Sequence, residues 1–397
     1  MSVESRWPAV TYETRAWKSR DDLPASRRDR LRARQPYRAS VAPRIARRKL
    51  SLPSHLVAAC EDASNEIARF DSQLGSEIAP FTAVLLRSES AASSRIENLT
   101  ASARAIAEAQ LGLGVRNGAL IVANERAMTA AIALADRLDR RAILAMHDAL
   151  LRVSAPAIAG RLRIQQVWIG GSHFSPHDAE FVPPHHTLVS EALDDLIAFL
   201  KRTDLPILAH AAVAHAQFET VHPFVDGNGR VGRALVHAQL RYARLTNNVT
   251  VPVSAGLLSD VRNYFDGLKA YREGNPVPIV EQFANASFAA LDNGRLLVAD
   301  LQQLRTDWSG RVRARRGATA WRVLDVVLRA PVVSAAFLGR ELGLPQSNVY
   351  RALDPLVDAD VLVEFGDKKR DRLWRAPEVL AALDAFSARA GRRQRSR

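Results

Sequence analysis

Residues 222–233 read HPFVDGNGRVGR, and within them stand an imidazole, a carboxylate, a Gly-Asn-Gly turn and two arginines. These are the groups that a phosphate-handling site uses. Gly227 and Gly229 permit positive φ and close backbone approach, so successive N–H groups can form a concave anion nest. The run that follows, VGRALVHAQLRYA, reads as a helix, which puts the nest at a helix N-terminus where the dipole also favours negative charge. Arg230 and Arg233 share a helix face with His237. Val231, Leu235, Ala238 and Tyr242 take another face, expected to be the buried one. Gly227, Gly229 and Gly232 also satisfy GxGxxG, but that fingerprint needs a preceding strand and an acid about twenty residues on. The preceding ILAHAAVAHAQFET is Ala-rich and helical, and no acid stands between Asp226 and Asp260, so the dinucleotide reading fails on context. A plain helix-turn-helix with solvated His and Arg is the bland alternative, and it leaves the coincidence of phosphate-directed groups unexplained.

The stretch resembles the complete signature of the Fic family of nucleotidyl transferases, HxFx(D/E)GNGRxxR, at every fixed position. The resemblance implies a mainly α fold, a helical core with a β-hairpin flap, and transfer of AMP from ATP to a Ser, Thr or Tyr hydroxyl of a target protein or of the chain itself. The residues agree with that chemistry. Attack on an α-phosphate needs a base near neutral pH, which suits His222. Asp226 offers a hard oxygen for Mg²⁺, which binds through one or two carboxylates plus substrate phosphates. Gly227, Asn228 and Gly229 would hold the phosphates as charge develops. Arg230 and Arg233 would clamp the β- and γ-phosphates with planar forks. Gly232 completes the expected nucleotide-binding set, and Phe224 is the loop's hydrophobic anchor.

The whole chain has 397 residues, 47% of them hydrophobic, which suffices for two or three domains with a sizeable core. The absence of a long apolar run or a signal-type N-terminus leads us to expect a soluble, cytoplasmic protein without a membrane segment. The one cysteine, Cys60, sits in an apolar helical pattern and reads as a core thiol. The formal charge of +13 invites a nucleic-acid partner, but much of the excess lies in two end segments. Residues 1–50 form the first, an arginine-dense, extended or partly ordered arm with Pro36 and Pro43.

Residues 51–111 are helical. Leu56, Ala59, Cys60 and Ala63 recur at helical spacing, and so do Phe81, Leu85, Ser88, Ala92 and Ile96. The second helix ends in SSRIEN, which resembles the Fic inhibitory motif (S/T)xxxE(G/N) at Ser93, Glu97 and Asn98. Asn98 tolerates the left-handed conformation that terminates a helix. A Glu97 carboxylate reaching Arg233 would compete with the γ-phosphate for the guanidinium, so an autoinhibited enzyme is expected.

The catalytic core is expected over residues 112–300. His147 reads as a buried, satisfied histidine. RLRIQQVWIGGSHFSPHDAEFVPPHH reads as a β-hairpin with a long tip. By resemblance it is the flap that positions the target peptide through main-chain contacts at Val182 and Pro183; His185 and His186 stand where the family has further prolines. His173, His177, Asp178, Glu180, His185 and His186 lack the spacing of a metal site and read as a polar tip. Tyr264 and Phe265 occupy the place of a family aromatic pair near the nucleotide; Tyr264 is either an adenine-side contact or core packing.

Residues 311–386 give three helices and then two short strands, which resembles a winged helix-turn-helix with Gly343 in the turn. Gln346, Ser347, Asn348 and Arg351 would meet base edges. Lys368, Lys369, Arg370 and Arg372 at the wing, with a basic tail over 387–397, would meet phosphates, while Asp354, Asp358 and Asp360 oppose them. DNA is thus a candidate partner, against use of the module for dimerisation or docking. The family resemblance also implies a homodimer. The alternative function is a DNA-binding regulator using the Fic domain as a nucleotide sensor, and His222 argues against it because sensing needs no base.

Overall fold

The computed structural model describes residues 6–18, 26–74, 79–114, 116–366 and 372–391. In chain order the elements begin β1 (Thr11–Arg15), α1 (Arg27–Arg32), β2 (Tyr37–Val41), α2 (Ser54–Leu74), α3 (Ala79–Ile96), α4 (Ala103–Gln110), α5 (Arg116–Ala133) and α6 (Arg140–Leu151). Next come α7 (His186–Leu200), α8 (Ile207–Val221), α9 (Asn228–Tyr242), α10 (Val253–Ser259), α11 (Val261–Arg272) and the long α12 (Val277–Arg311). The last part holds α13 (Thr319–Arg329), β3 (Val332–Ser334), α14 (Ala335–Leu342), α15 (Gln346–Asp358), β4 (Val363–Phe365), β5 (Leu373–Arg375) and α16 (Pro377–Ala390). The fold is mainly helical, and no helix among the described residues is long and apolar enough to cross a membrane.

Two compact units divide the chain, Met1–Ser64 with Ala127–Ala243 and Arg262–Ala284, and Asn65–Arg126 with Arg244–Val261 and Asn285–Arg397. They interleave in sequence, and α2, α5 and α12 run through the unit boundaries without a break.

In the first unit α8 and α9 form the centre. Alanines at 209, 211, 212, 214 and 216 keep α8 thin, so neighbours close on every side of it. Gly232 lets α9 approach it: a Cβ there would lie 3.0 Å from Phe218 Cδ1 and from Glu219 Oε1. The expected amphipathic α9 is corrected in consequence. Val231, Leu235 and Ala238 are buried, but so are Arg230, Arg233 and His237, whereas Tyr242 is 40% exposed.

In the described residues of the N-terminal segment, expected to be extended or partly ordered, β1 and β2 pair antiparallel with Thr11 opposite Val41, and Ser26 caps α1 by accepting from the Asp29 N–H at 3.1 Å. Tyr37 and Ala39 alternate inward, with Trp17, Trp168 and Val182 packed beside them. The expected flap hairpin contracts to a single bridge, Ile169 to Phe181. Consecutive left-handed glycines, Gly170 at φ 72° and Gly171 at φ 71°, turn the chain away before a ladder can extend. Its pairing continues with β2 instead, the Ser40 N–H donating to the Val182 carbonyl at 3.0 Å.

In the second unit the buried Asp71 carboxylate accepts the backbone N–H groups of Asn247 (3.0 Å), Asn248 (2.8 Å) and Val249 (2.8 Å). Phe81, Leu85, Ser88, Ala92 and Ile96 of α3 are buried, as their spacing implies. The C-terminal part is α13, β3, α14, α15, β4, β5, with an antiparallel sheet in the order β3-β5-β4. Gly343 has φ 65° in the turn between α14 and α15. The strand β3, only VVS, went unexpected because three residues carry no periodicity. Lys368, Lys369, Arg370 and the tail after Gly391 lie outside the described residues.

Candidate active site

The site begins where α8 stops. His222 is its C-cap in the left-handed region, φ 49° and ψ 62°, with its N–H donating to Phe218 O at 2.8 Å. A non-glycine residue rests there only when its surroundings hold it. Arg163 does so: its guanidinium donates to the carbonyls of His222 (2.8 Å), Gln165 (3.1 Å), Pro184 (2.5 Å) and Val221 (3.4 Å). Burial pulls Arg163 down to about 10, which still leaves it cationic near neutral pH. Sequence reading missed this residue. The half-buried His222 imidazole has Nδ1 3.8 Å from Glu219 Oε2.

The loop after His222 is fixed from both sides. The Asn228 amide accepts from Phe224 N–H at 2.9 Å and donates to Phe224 O at 3.0 Å. The Phe224 ring stacks on His147 at 3.7 Å and 5°. His147 Nδ1 accepts the Gly160 N–H at 3.0 Å, so Nε2 carries the proton and donates to Asp226 O at 3.1 Å. Burial lowers the His147 pKa and keeps the ring in this neutral form.

Gly227 adopts φ 79°, and a Cβ there would lie 2.8 Å from Leu150 Cδ2. The expected pair of left-handed glycines is corrected to one, because Gly229 already sits in the first turn of α9, which the Val231 N–H closes onto Gly227 O at 3.0 Å. The cradle is therefore Gly227 followed by the first N–H groups of α9, which a helix leaves without intrahelical acceptors. Gly232 serves the α8–α9 approach and does not face the cradle.

Asp226 has a 63% exposed side chain, 3.6 Å from the Arg230 guanidinium. One exposed hard-oxygen carboxylate beside an N–H cradle fits Mg²⁺, which takes few protein ligands. The flap's titratable groups are dispersed: His177 Nε2 donates to Gln35 O at 2.9 Å, Asp178 pairs with Arg32, and His185 Nδ1 bonds Thr187 Oγ1 at 2.9 Å. No group of three or more His, Cys, Asp or Glu among the described residues could hold a metal ion.

Arg233 is buried, its NH1 3.5 Å from Tyr264 Oη, which also bonds His215 Nε2 at 2.8 Å. Tyr264 is only 1% exposed, which agrees with the core-packing alternative, and its hydroxyl lies between Arg233 and His215. Burial and the Arg233 charge push His215 down to about 3. Val182 and Pro183 are buried, and their carbonyls accept from Ser40 N–H (3.0 Å) and Gln166 Nε2 (2.9 Å). Main-chain contact with a target at these two oxygens is already taken up within the chain. Cys60 is buried, with its thiol pushed up to about 11, and has no place in the site.

Ser93, Glu97 and Asn98 belong to the second unit. Ser93 is buried and Glu97 is exposed. Asn98 takes φ 59°, with its N–H on Arg95 O and the Leu99 N–H on Ser94 O, both at 3.0 Å. That is a Schellman termination holding Glu97 at the helix end.

Residues 137–240 match the Fic/DOC family. The chain carries a Fic/DOC family domain. It is 31% identical over 159 residues to the protein adenylyltransferase fic-1 of Caenorhabditis elegans, covering 39% of this chain and 28% of that protein. To the protein adenylyltransferase Fic of Drosophila mojavensis it is 28% identical over 178 residues, 44% of this chain and 33% of that protein. The chain thus spans about a third of the length of the curated relatives it matches. A Fic family protein from Desulfovibrio desulfuricans G20 shares the fold, with a TM-score of 0.51 and 21% identity over 82% of this chain and 97% of that one.

Proposed function

We propose that the chain is an autoinhibited protein adenylyltransferase. The observation that carries this reading is His222, held in a left-handed cap beside the Gly227–α9 cradle of its Fic domain. ATP would lay its phosphates along the N–H groups of Gly227, Asn228 and Gly229, with Arg230 and Arg233 as counter-charges. His222 takes the proton of a target Ser, Thr or Tyr hydroxyl as that oxygen bonds the α-phosphorus. The bond from the α-phosphorus to the β-bridging oxygen breaks and pyrophosphate leaves. Mg²⁺ held by Asp226 would supply charge neutralisation on the phosphates. A nucleotide sensor has no use for the base.

Inhibition is assigned to Glu97 pairing with Arg233, with Ser93 and the Asn98 cap fixing its helix. The guanidinium then no longer meets the γ-phosphate, and a misplacement of about 1 Å costs on the order of a hundredfold in rate. Of the C-terminal part, read as a winged helix, α15 exposes Gln346, Ser347 and Arg351, and duplex DNA is the partner to test there.

The test incubates the parent, Glu97→Gly and Glu97→Gly with His222→Ala with ATP labelled on the α-phosphate and Mg²⁺. Label on protein should rise at least tenfold with Glu97→Gly and vanish without His222. Label in no variant, with ATP still bound, overturns the transferase reading. A Glu97→Gly protein no more active than the parent overturns the inhibition.

A further inference from the structure

Among the described residues the two most exposed large hydrophobics are Ile164 at 85% and Val153 at 74%, well ahead of Leu31 at 54%. A lone exposed apolar side chain needs no explanation. These two, however, stand at either end of the loop that leads from α6 past the site to the flap. Val153 lies just beyond Leu151, whose Cδ1 would be 3.8 Å from a Cβ on Gly227, and so marks the cradle end. Ile164 marks the base end, because the preceding Arg163 N–H donates to Pro223 O at 3.0 Å, next to His222. Between them the Gly160 N–H donates to His147, the ring that stacks on Phe224. The loop is held at both ends. The Ala155 N–H closes onto Leu151 O at 2.8 Å, and the Arg163 guanidinium donates to the carbonyl of Gln165 at 3.1 Å, which fixes the backbone on both sides of Ile164. An apolar side chain displayed in water on a fixed backbone loses little freedom when a partner covers it.

A transferase must bring a second polypeptide to His222, and the carbonyls of Val182 and Pro183 are already taken by Ser40 and Gln166. Recognition then falls to other groups beside the base. No acid stands between Asp148 and Asp178 in the sequence, Arg152 is paired with Asp148, and the exposed Arg161 forms no ion pair with a described residue. We infer that Ile164 and Val153 dock the target protein: they cover a large apolar side chain close to its modified hydroxyl, and Arg161 meets an acid beside it. This assignment of the target's chemistry rests on the transferase reading above. Burial of one such aliphatic side chain is worth about tenfold or more in binding.

The experiment offers the full chain, as Glu97→Gly, short peptides with one central Ser, Thr or Tyr in a Gly-Ala background. Each flanking position is set in turn to Leu, Asp, Ser or Lys, and label from ATP marked on the α-phosphate is followed as kcat and KM. Leu at one flanking position should lower KM at least about fivefold relative to Ser there. Adding Ile164→Ser should erase that gain and leave kcat within about twofold, the signature of lost binding alone. Val153→Ser should raise KM for the Leu peptide about threefold. Arg161→Glu should turn a preference for Asp over Lys into its reverse. All three side chains are exposed, so Tm should stay within about 2 °C in each variant. Labelled peptides without an apolar preference, or a preference that survives Ile164→Ser, overturn the docking. Label on the chain itself with none on any peptide overturns it too. A parent dimer in sedimentation that Ile164→Ser dissociates gives the patch to a second copy and overturns the target assignment. An Asp preference unmoved by Arg161→Glu removes the acid from the target's description. No label anywhere, with ATP still bound, refutes the transferase reading and the docking with it, whereas the peptide outcomes, which all show transfer, bear on the docking alone.

Discussion

Arg163 ties the strained His222 carbonyl to the carbonyl of Pro184, so one side chain holds both the proposed base and the proposed target-side segment. Lysine at 163 keeps the charge and loses the fork. Arg163→Lys should cost about 1–3 kcal/mol in denaturant unfolding and lower kcat more than tenfold, with ATP affinity by calorimetry within about threefold of the parent. An unchanged kcat would show that the left-handed cap stands without it. His215 makes a second prediction at this scale. Its folded pKa of about 3 lies below the ordinary 6.5, so the folded chain binds fewer protons than the unfolded one. Stability is therefore unaffected above about 6.5 and lost as pH falls from there toward 3, at about 1.4 kcal/mol per pH unit for this one buried group. His147 and His210, both lowered by burial, act in the same direction. Urea midpoints measured from pH 7 to pH 4.5 should fall throughout, and fall less in His215→Gln.

The end of α3 is where an element's termination bears on the proposed inhibition. Asn98 at φ 59° closes a Schellman turn, and Glu97 keeps its place only if that turn forms. Asn98→Gly preserves the left-handed residue and should leave transfer as low as in the parent. Asn98→Val puts a β-branched side chain at positive φ, costs about 1–2 kcal/mol locally, and should raise transfer severalfold in the labelled-ATP assay. Equal activities of the two variants would separate the cap from inhibition. This cap was legible beforehand because Asn at the end of a periodic apolar run is a local signal, and so was the motif, whose turn residues and charges are adjacent in sequence. Arg163 was not, being one cation among 55 and marked only by distant carbonyls. The β1–β2 ladder hid behind prolines and arginines, its inward face showing just Tyr37 and Ala39. The full burial of α9 depends on how closely α8 approaches, which Gly232 permits but does not announce. Tyr264 stayed open between two readings for the same reason, since an aromatic near a motif reads alike whether it faces a base or supports an arginine.

At the scale of the whole molecule, the two units share their helices. α2, α5 and α12 each supply residues to both, α12 over Val277–Arg311. A helix in water draws most of its stability from packing along its length, and a half stripped of partners is marginal. Melting either unit would leave three helices half supported in the other, so the units should unfold together although each has its own interior. The six tryptophans divide evenly, Trp7, Trp17 and Trp168 in the first unit and Trp308, Trp321 and Trp374 in the second. Incorporating 5-fluorotryptophan gives each a ¹⁹F resonance, assigned by single Trp→Phe replacements, and guanidinium titration then follows both units in one sample. All six native signals should disappear with a common midpoint, within about 0.2 M. A distinctly lower midpoint for the Trp308, Trp321 and Trp374 set would mean that the C-terminal part opens by itself. In that case α3 would lose its α13 and α16 neighbours in part of the population, and inhibition by Glu97 would weaken at denaturant concentrations that leave His222 in place.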